Sequence, residues 1–268
     1  MSTSPVSVPS PQDTAGAQTL RRGLMVLRLL TRAGPGGLRM GEICRHVALA
    51  KSTAVRLTRT LVDEGFVLQD SVSGRYRLGP EAFAVGLAAE PSYELQRLAA
   101  PILRGMAAET EDTVFFTVLH GYENICLSRD EGDFPIRNQL LKPGDRVPLG
   151  VGAGGAALLA ALGDDDVRKV LALTLTLRQH KYPRCTDQAL MRQVAEARER
   201  GFCVMPGLLL PDAWAVGAVV RDANAQPVAS ISVAAIRSRL GSTRCTLIGH
   251  RLVQASANIT ALAAQLRR

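Results

Sequence analysis

The sequence predicts an α+β chain in two parts: a small basic module of helices closed by a hairpin, and a larger domain of antiparallel strands flanked by helices. Three features point there. Between residues 17 and 80, apolar residues recur at helical spacing and then give way to two short strands. From residue 92, helical stretches enclose runs of β-branched and aromatic residues. Nearly all the excess positive charge lies in the first part: residues 18–80 carry eleven Lys/Arg against four Asp/Glu, and the remainder carries 21 against 20.

In chain order, residues 1–16 are rich in Ser, Pro and Thr, with no basic leader and no apolar run. They read as a disordered tail and not as a signal peptide. Leu20, Leu24, Leu27 and Leu30 then mark a first helix whose stripe is expected to close the core of the module, with Arg21 and Arg22 off that stripe. Gly34–Gly37 is a break containing Pro35. Met40–Gly65 reads as two short helices around a tight turn, the first carrying Ile43 and Val47 one turn apart, with Ala48–Ala50 leaving little room between the two. If the second starts near Ser52 and advances about 100° per residue, Ala54, Leu57, Thr58 and Leu61 gather on one side. Ser52, Arg56, Arg59 and Asp63 gather on the other, with Lys51 at the N-terminal end. Phe66–Gly79 reads as two short strands around a Ser-Gly turn, with Arg75 and Arg77 on the return strand.

Helix, turn, helix and basic hairpin in this order form a winged helix-turn-helix, spanning residues 17–80. A helix N-terminus and hydroxyls can hold phosphates, and an arginine one turn further on can reach the O6 and N7 of guanine in the major groove. The candidate DNA contacts are Arg45, Lys51, Ser52, Thr53, Arg56 and Arg59, with Arg75 on the wing. Arg21 and Arg22 fit either a backbone contact or a solvated face. The localised charge is the footprint of a module facing a polyanion. It is broken up by the folded pattern, unlike the polybasic run of a membrane-surface segment.

Pro80–Glu90 reads as a connecting helix (81–91 as linker), with Pro91 at the boundary. Beyond it, in residues 92–268, Leu95–Thr110 is helical, and Thr113–Leu119, Asn124–Arg129 and Ile136–Leu141 are strand candidates. Asp164–Leu173 and Asp187–Arg200 are helical, the second closing at Gly201. Trp214–Arg221 and Val228–Ala235 form a hairpin pair, and a last helix runs from Ser242 to Leu266.

Five scattered cysteines without a CxxC pair argue against a disulfide framework or zinc site and for a reducing, cytoplasmic compartment. Four dispersed histidines show no metal-ligand spacing. His120, Asp112 and Cys126 share a region, but nothing binds them into a catalytic set. No apolar stretch is long enough to span a bilayer. No cofactor, metal, membrane or enzymatic activity is expected.

The segments AQTLRRGLMVLRLL, GEICRHVALAKSTAVRLTRTLVDEGFV and SGRYRLG resemble the DNA-binding domain of the IclR family of bacterial transcription regulators. The resemblance continues through DRVPLGVGAGGAALLA, ARERGF and PVASISVAAIRSRL, covering about Ala17 to Leu266. It implies a GAF-like effector-binding domain, a homodimer or homotetramer, and a double-stranded, pseudo-palindromic operator.

GVGAGG (Gly150–Gly155) formally satisfies G-x-G-x-x-G, but Pro148 precedes it and no acidic residue occurs around Val170–His180, so a dinucleotide site is not expected. Spacing alone leaves open whether these glycines seat an anion at a helix start or permit close packing. The resemblance favours the former, since the family's effector pocket includes a loop at this position. It implies pocket residues Leu149, Gly152, Ala153, Gly154, Met205, Ala213, Trp214, Ala215, Ser232 and Ala234.

Several of these depart from the family pattern. Gly150 and Ala156 replace the usual His and Lys, Met205 and Pro206 stand where carboxylates are common, Trp214 and Ala215 replace an Arg-Cys pair, and Ala234 replaces a second Ser. The exchange of polar for apolar groups implies an organic acid or aromatic effector, more apolar than a small keto acid. Trp214 is either a flat wall of that pocket or a filler of the core or a subunit interface. The competing function is a DNA-binding protein whose C-terminal domain serves only oligomerisation.

Overall fold

A computed structural model describes residues 17–89, 94–136 and 140–265. The expected tail, the boundary at Pro91 and the centre of the strand expected over 136–141 lie outside these residues. The chain divides into two compact units, residues 1–93 and 94–268.

The first unit runs α1 (Gln18–Ala33), α2 (Met40–Val47), α3 (Lys51–Asp63), β1 (Val67–Gln69), β2 (Tyr76–Leu78) and α4 (Pro80–Ala89). Its core is Val26, Leu30, Ile43, Val47 and Val67, with Leu27, Leu61 and Tyr76 packed against it. The expected first-helix stripe is half right. Leu30 is buried, but Leu20 is 65% and Leu24 42% exposed, and the buried line is Gly23, Val26 and Leu30. The run LMVLRLL is apolar around more than one face, so its spacing admits two stripes; contact with α2 and α3 selects between them.

On α3 the expected division holds: Ala54, Leu57 and Thr58 are buried and Leu61 is half-buried. The wing is pinned at its base by Leu38, which exchanges two backbone hydrogen bonds with Tyr76 (2.9 and 2.7 Å). Gly37 makes this approach possible. Its φ of 59° is left-handed, and a Cβ there would meet the Tyr76 carbonyl oxygen at 2.5 Å. At the wing tip, the Asp70 carboxylate accepts from the Ser73 N–H (2.7 Å) and hydroxyl (2.8 Å), an Asx turn that holds the carboxyl below its usual range.

The second unit contains α5 (Glu94–Thr110), β3 (Thr113–His120), β4 (Glu123–Asp130), β5 (Arg146–Pro148), α6 (Gly152–Ala160), α7 (Asp164–Lys181), α8 (Asp187–Arg200), β6 (Cys203–Leu210), β7 (Ala213–Arg221), β8 (Pro227–Ile236) and α9 (Ser242–Gln265). Six antiparallel strands lie in the order β5-β4-β3-β8-β7-β6. Alternate residues face opposite sides. Val114 and Phe116 of β3, Val216, Ala218 and Val220 of β7 and Ile231, Val233 and Ala235 of β8 pack against Leu103, Met106, Ile248 and Leu252 of α5 and α9. The opposite face receives α6, buried from Ala153 to Ala160, with α7 and α8 around it.

Four elements differ from expectation. Helix α7 continues to Lys181, eight residues past Leu173. Its extension is held by Arg178, 1% exposed, whose guanidinium donates to Thr174 Oγ1, the Leu171 and Cys185 carbonyls and Asp187 Oδ1, tying α7 to the start of α8. Strands β5 and β6 were not anticipated. Pro206 inside β6 argues against a strand, but β6 is a sheet edge, where a missing N–H removes no interior ladder bond. The described ends of the expected strand, Ile136 and Leu140–Leu141, are not in strand.

Candidate nucleic-acid interface and ligand pocket

Helix α3 begins after Ala50, which has no side chain to cap it. Its first N–H groups therefore point outward without partners within the helix. Lys51, Ser52, Arg56 and Arg59 are exposed around and beyond that end, Thr53 is half-buried, and Arg45 is exposed on α2. A positive helix terminus, two small hydroxyls and two guanidiniums share one solvent-facing surface, which suits phosphate at the end and base edges along the side.

The two wing arginines differ. Arg75 turns inward: its Nη1 donates to the Gly37 carbonyl (2.9 Å) and lies 3.8 Å from Glu42 Oε2. Glu42 also accepts from the Arg39 N–H, the main reason its carboxyl sits below the usual range. Arg77 is the exposed wing arginine. Sequence placed both on the return strand without separating them; period-two alternation puts residues 75 and 77 on one side, and it is the Gly37 carbonyl and Glu42 beside residue 75 that distinguish the two.

In the second unit a cavity of about 500 Å³, open mouth included, lies between the start of α6 and the sheet. None of the described residues that line it is ionisable. Phe115, Leu140, Leu141, Met205 and Leu209 supply apolar walls, and Thr117, Asn124 and Ser232 are polar. Helix α6 starts after Val151, again without a capping side chain, so the N–H groups of Gly152, Ala153 and Gly154 have no carbonyl to reach within the helix.

Glycine lets this helix start sit against the sheet. A Cβ on Gly217 of β7 would lie 2.6 Å from the Ala153 carbonyl, and one on Gly154 would lie 2.7 Å from Ser230 Oγ. Of the two readings of the glycine run, the close packing is observed, and it brings the free N–H groups to the cavity wall.

Residues 19–71 match the IclR helix-turn-helix domain, and residues 88–261 match the C-terminal domain of the bacterial transcriptional regulator IclR. The chain belongs to the IclR family of bacterial transcriptional regulators. Its two parts are that family's helix-turn-helix and effector-binding domains, and it is a regulator, not an enzyme.

Among curated relatives, the transcriptional repressor IclR of Escherichia coli K12 is 27% identical over 95% of this chain and 93% of that protein. The repressor AllR of the same strain is 28% identical over 87% and 86%. An IclR regulator structure from Alicyclobacillus acidocaldarius aligns with TM-score 0.75 and 25% identity over 91% of this chain and 98% of that one. An IclR homolog from Microbacterium hydrocarbonoxydans, complexed with 4-hydroxybenzoate, aligns with TM-score 0.75 and 21% identity over 92% and 100%.

In this IclR-family chain the structure gathers Gly152, Ala153, Gly154, Met205, Ala213, Trp214, Ala215, Ser232 and Ala234 around this cavity. Leu149 is not among its walls. It is fully buried with Leu158, Leu159 and Leu190 in the core under α6. Trp214 borders the cavity, but it pairs with Ala235 in register and its side chain packs with the α5/α9 core, on the other face of the sheet from Ala215. Alternation along β7 decided this.

Sequence reasoning missed Phe115, Thr117, Asn124, Leu140, Leu141, Val151, Gly155 and Leu209. Those on β3 and β4 were recognisable as strand residues, but which face met α6 was not. No grouping of His, Cys, Asp and Glu suited to a metal occurs among the described residues. Asp112 is engaged by Arg239 and Arg244, and burial pushes the Cys126 thiol up to about 12, leaving it a neutral thiol.

Proposed function

We propose that this protein is an operator-binding transcriptional repressor of the cytoplasm whose DNA affinity is set by a small organic acid held between α6 and the sheet. The repressor reading rests on the curated relatives, which are named as repressors. The observation that carries the effector reading is the uncapped start of α6 opening into a cavity with no ionisable side chain among the described residues that line it. In such a place the helix N–H groups are the strongest available seat for a carboxylate, and the surrounding Phe, Leu and Met side chains favour an apolar or aromatic body. The neighbour complexed with 4-hydroxybenzoate is an example of a ligand of this size and charge in the same fold.

Arg56 and Arg59 are assigned to base reading, with Lys51, Ser52, Thr53 and the start of α3 on phosphates. Arg21, Arg22, Arg45 and the wing add backbone contacts. The partner is a pseudo-palindromic duplex bound by a homodimer or homotetramer, because a single helix-turn-helix covers one half-site.

The test uses the full-length protein and an operator selected from random duplex DNA. Apolar and aromatic carboxylates should shift both the unfolding midpoint and the operator affinity, with the two effects following the same concentration dependence. Their methyl esters, lacking the charge, should do so at least tenfold less well. Esters equal to acids, or acids that leave DNA affinity untouched, overturn the reading.

A further inference from the structure

Strand β4 brings Asn124 to the α6 side of the sheet, the side also taken by Cys126 two residues on. Asn124 is 1% exposed and lines the cavity, and its side-chain oxygen Oδ1 has no hydrogen-bond partner. A buried amide oxygen without a donor is destabilising, so its persistence in a ligand cavity calls for a reason.

The surroundings sharpen the point. The hydroxyls of Thr117 and Ser230, on the neighbouring strands, hydrogen-bond to each other at 2.8 Å. Gly155 presses against the amide: a Cβ there would lie 2.8 Å from Oδ1 and 3.3 Å from Cγ. Helix α6 thus has glycine where the carboxamide comes in, three residues after Gly152 at the helix start. The cavity therefore presents two complementary demands a short distance apart, donors at the helix start and an unmet acceptor on β4.

The geometry points to an effector with two polar functions: a carboxylate for the start of α6 and a hydrogen-bond donor, a hydroxyl or N–H, for Asn124 Oδ1. This rests on the effector reading above and narrows it to hydroxylated or aminated organic acids. Asn124 is the residue that selects them against the plain acid. Discrimination of this kind is strong because the unsubstituted acid leaves the buried Oδ1 without a donor, whereas the substituted acid supplies one.

Matched probes test it on the full-length protein by thermal shift and calorimetry: benzoate against 3-hydroxybenzoate, 4-hydroxybenzoate and 3-aminobenzoate, and butyrate against 3-hydroxybutyrate. At least one substituted acid should bind tenfold or more tightly than its parent. The hydroxy and amino members separate the two donor types. Asn124→Leu, which keeps the side-chain shape but removes the acceptor, should erase that preference while the parent acid binds as well or better. Asn124→Asp should keep the preference for the substituted acid, although its charge weakens all of them.

The ligand-free Asn124→Leu protein should unfold at the same or a higher temperature, since an unsatisfied oxygen has gone. A midpoint several degrees lower would mark Asn124 as structural and overturn the assignment. Parents and substituted acids binding equally would also overturn it while leaving the effector reading standing. If none of the acids binds, the effector reading falls, and this assignment with it.

Discussion

Helices α3 and α6 begin in the same way and are put to different use. Each starts after an aliphatic N-cap, Ala50 or Val151, with no capping side chain and no acidic residue in its first turn. Each therefore presents a set of free N–H groups with the positive end of a helix dipole behind them. Around α3, that end is open to solvent and ringed by Lys51, Arg56 and Arg59. Around α6, it is pressed by glycines against a sheet, and the described residues that enclose it are apolar, hydroxyl and amide groups without a charge. One arrangement suits an extended polyanion read from outside; the other suits a single small anion held inside. The difference lies in what surrounds the helix start, not in the start itself.

The comparison is easiest to break with salt. If the α3 surface works on phosphates, and a dimer neutralises six or more, operator affinity should fall roughly a thousandfold between 50 and 200 mM salt. Binding of a small acid to the enclosed α6 start should change far less over the same range, because one charge is involved. Equal salt responses in isothermal titrations would show that the two sites do not differ as described.

Steric closure of the α6 seat comes next. Gly217→Ala places a Cβ against the Ala153 backbone, which cannot swing aside as a side chain can. The expected loss is about 1–3 kcal/mol of stability, together with loss of the response to acids, measured by denaturant unfolding and thermal shift. Wild-type stability and response would mean that α6 does not need that approach.

Arginine substitutions sharpen the α3 side. Arg56→Ala should weaken operator binding by about 1–3 kcal/mol and relax one base position in each half-site, as seen by repeating the selection with the variant. Arg77→Ala should weaken all sequences alike and reduce the salt slope by about one. Arg75→Ala should instead act through the fold, lowering stability by about 0.5–1.5 kcal/mol for the lost bond to Gly37. An Arg75 variant with normal stability and a reduced salt slope would return that side chain to the DNA-facing set.

The smallest effect is expected at Trp214. With its indole packed in the α5/α9 layer, Trp214→Phe should leave acid binding within about twofold, since a 1.4 kcal/mol change would be needed for tenfold. A tenfold loss in calorimetry without loss of stability would place the ring in the pocket after all.

Much of the first unit was legible because its signals are local. Helix lengths, the Ile43/Val47 and Ala54/Leu57/Thr58 faces and the hairpin all follow from spacing within a few residues. The exception, Leu20 and Leu24, arose where α1 is apolar on several faces and local spacing does not choose. Most pocket residues on α6, β6, β7 and β8 were named because of the family resemblance. Asn124 was not, because its importance depends on meeting Gly155, 31 positions later.

The sequence by itself determined the order of the helix-turn-helix, the concentration of charge there, the glycine start of α6 and the family. Those properties reside in side-chain type and short-range periodicity, which the chain carries whatever its partners. Only the tertiary structure decided which of two arginines on the wing faces solvent, which side of β7 Trp214 takes, and that Leu149 supports α6 from below. It alone showed the Asn124 oxygen without a donor beside the α6 start. Each of these depends on long-range pairing, where a shift of one residue moves a side chain to the opposite face, and no local pattern fixes that register.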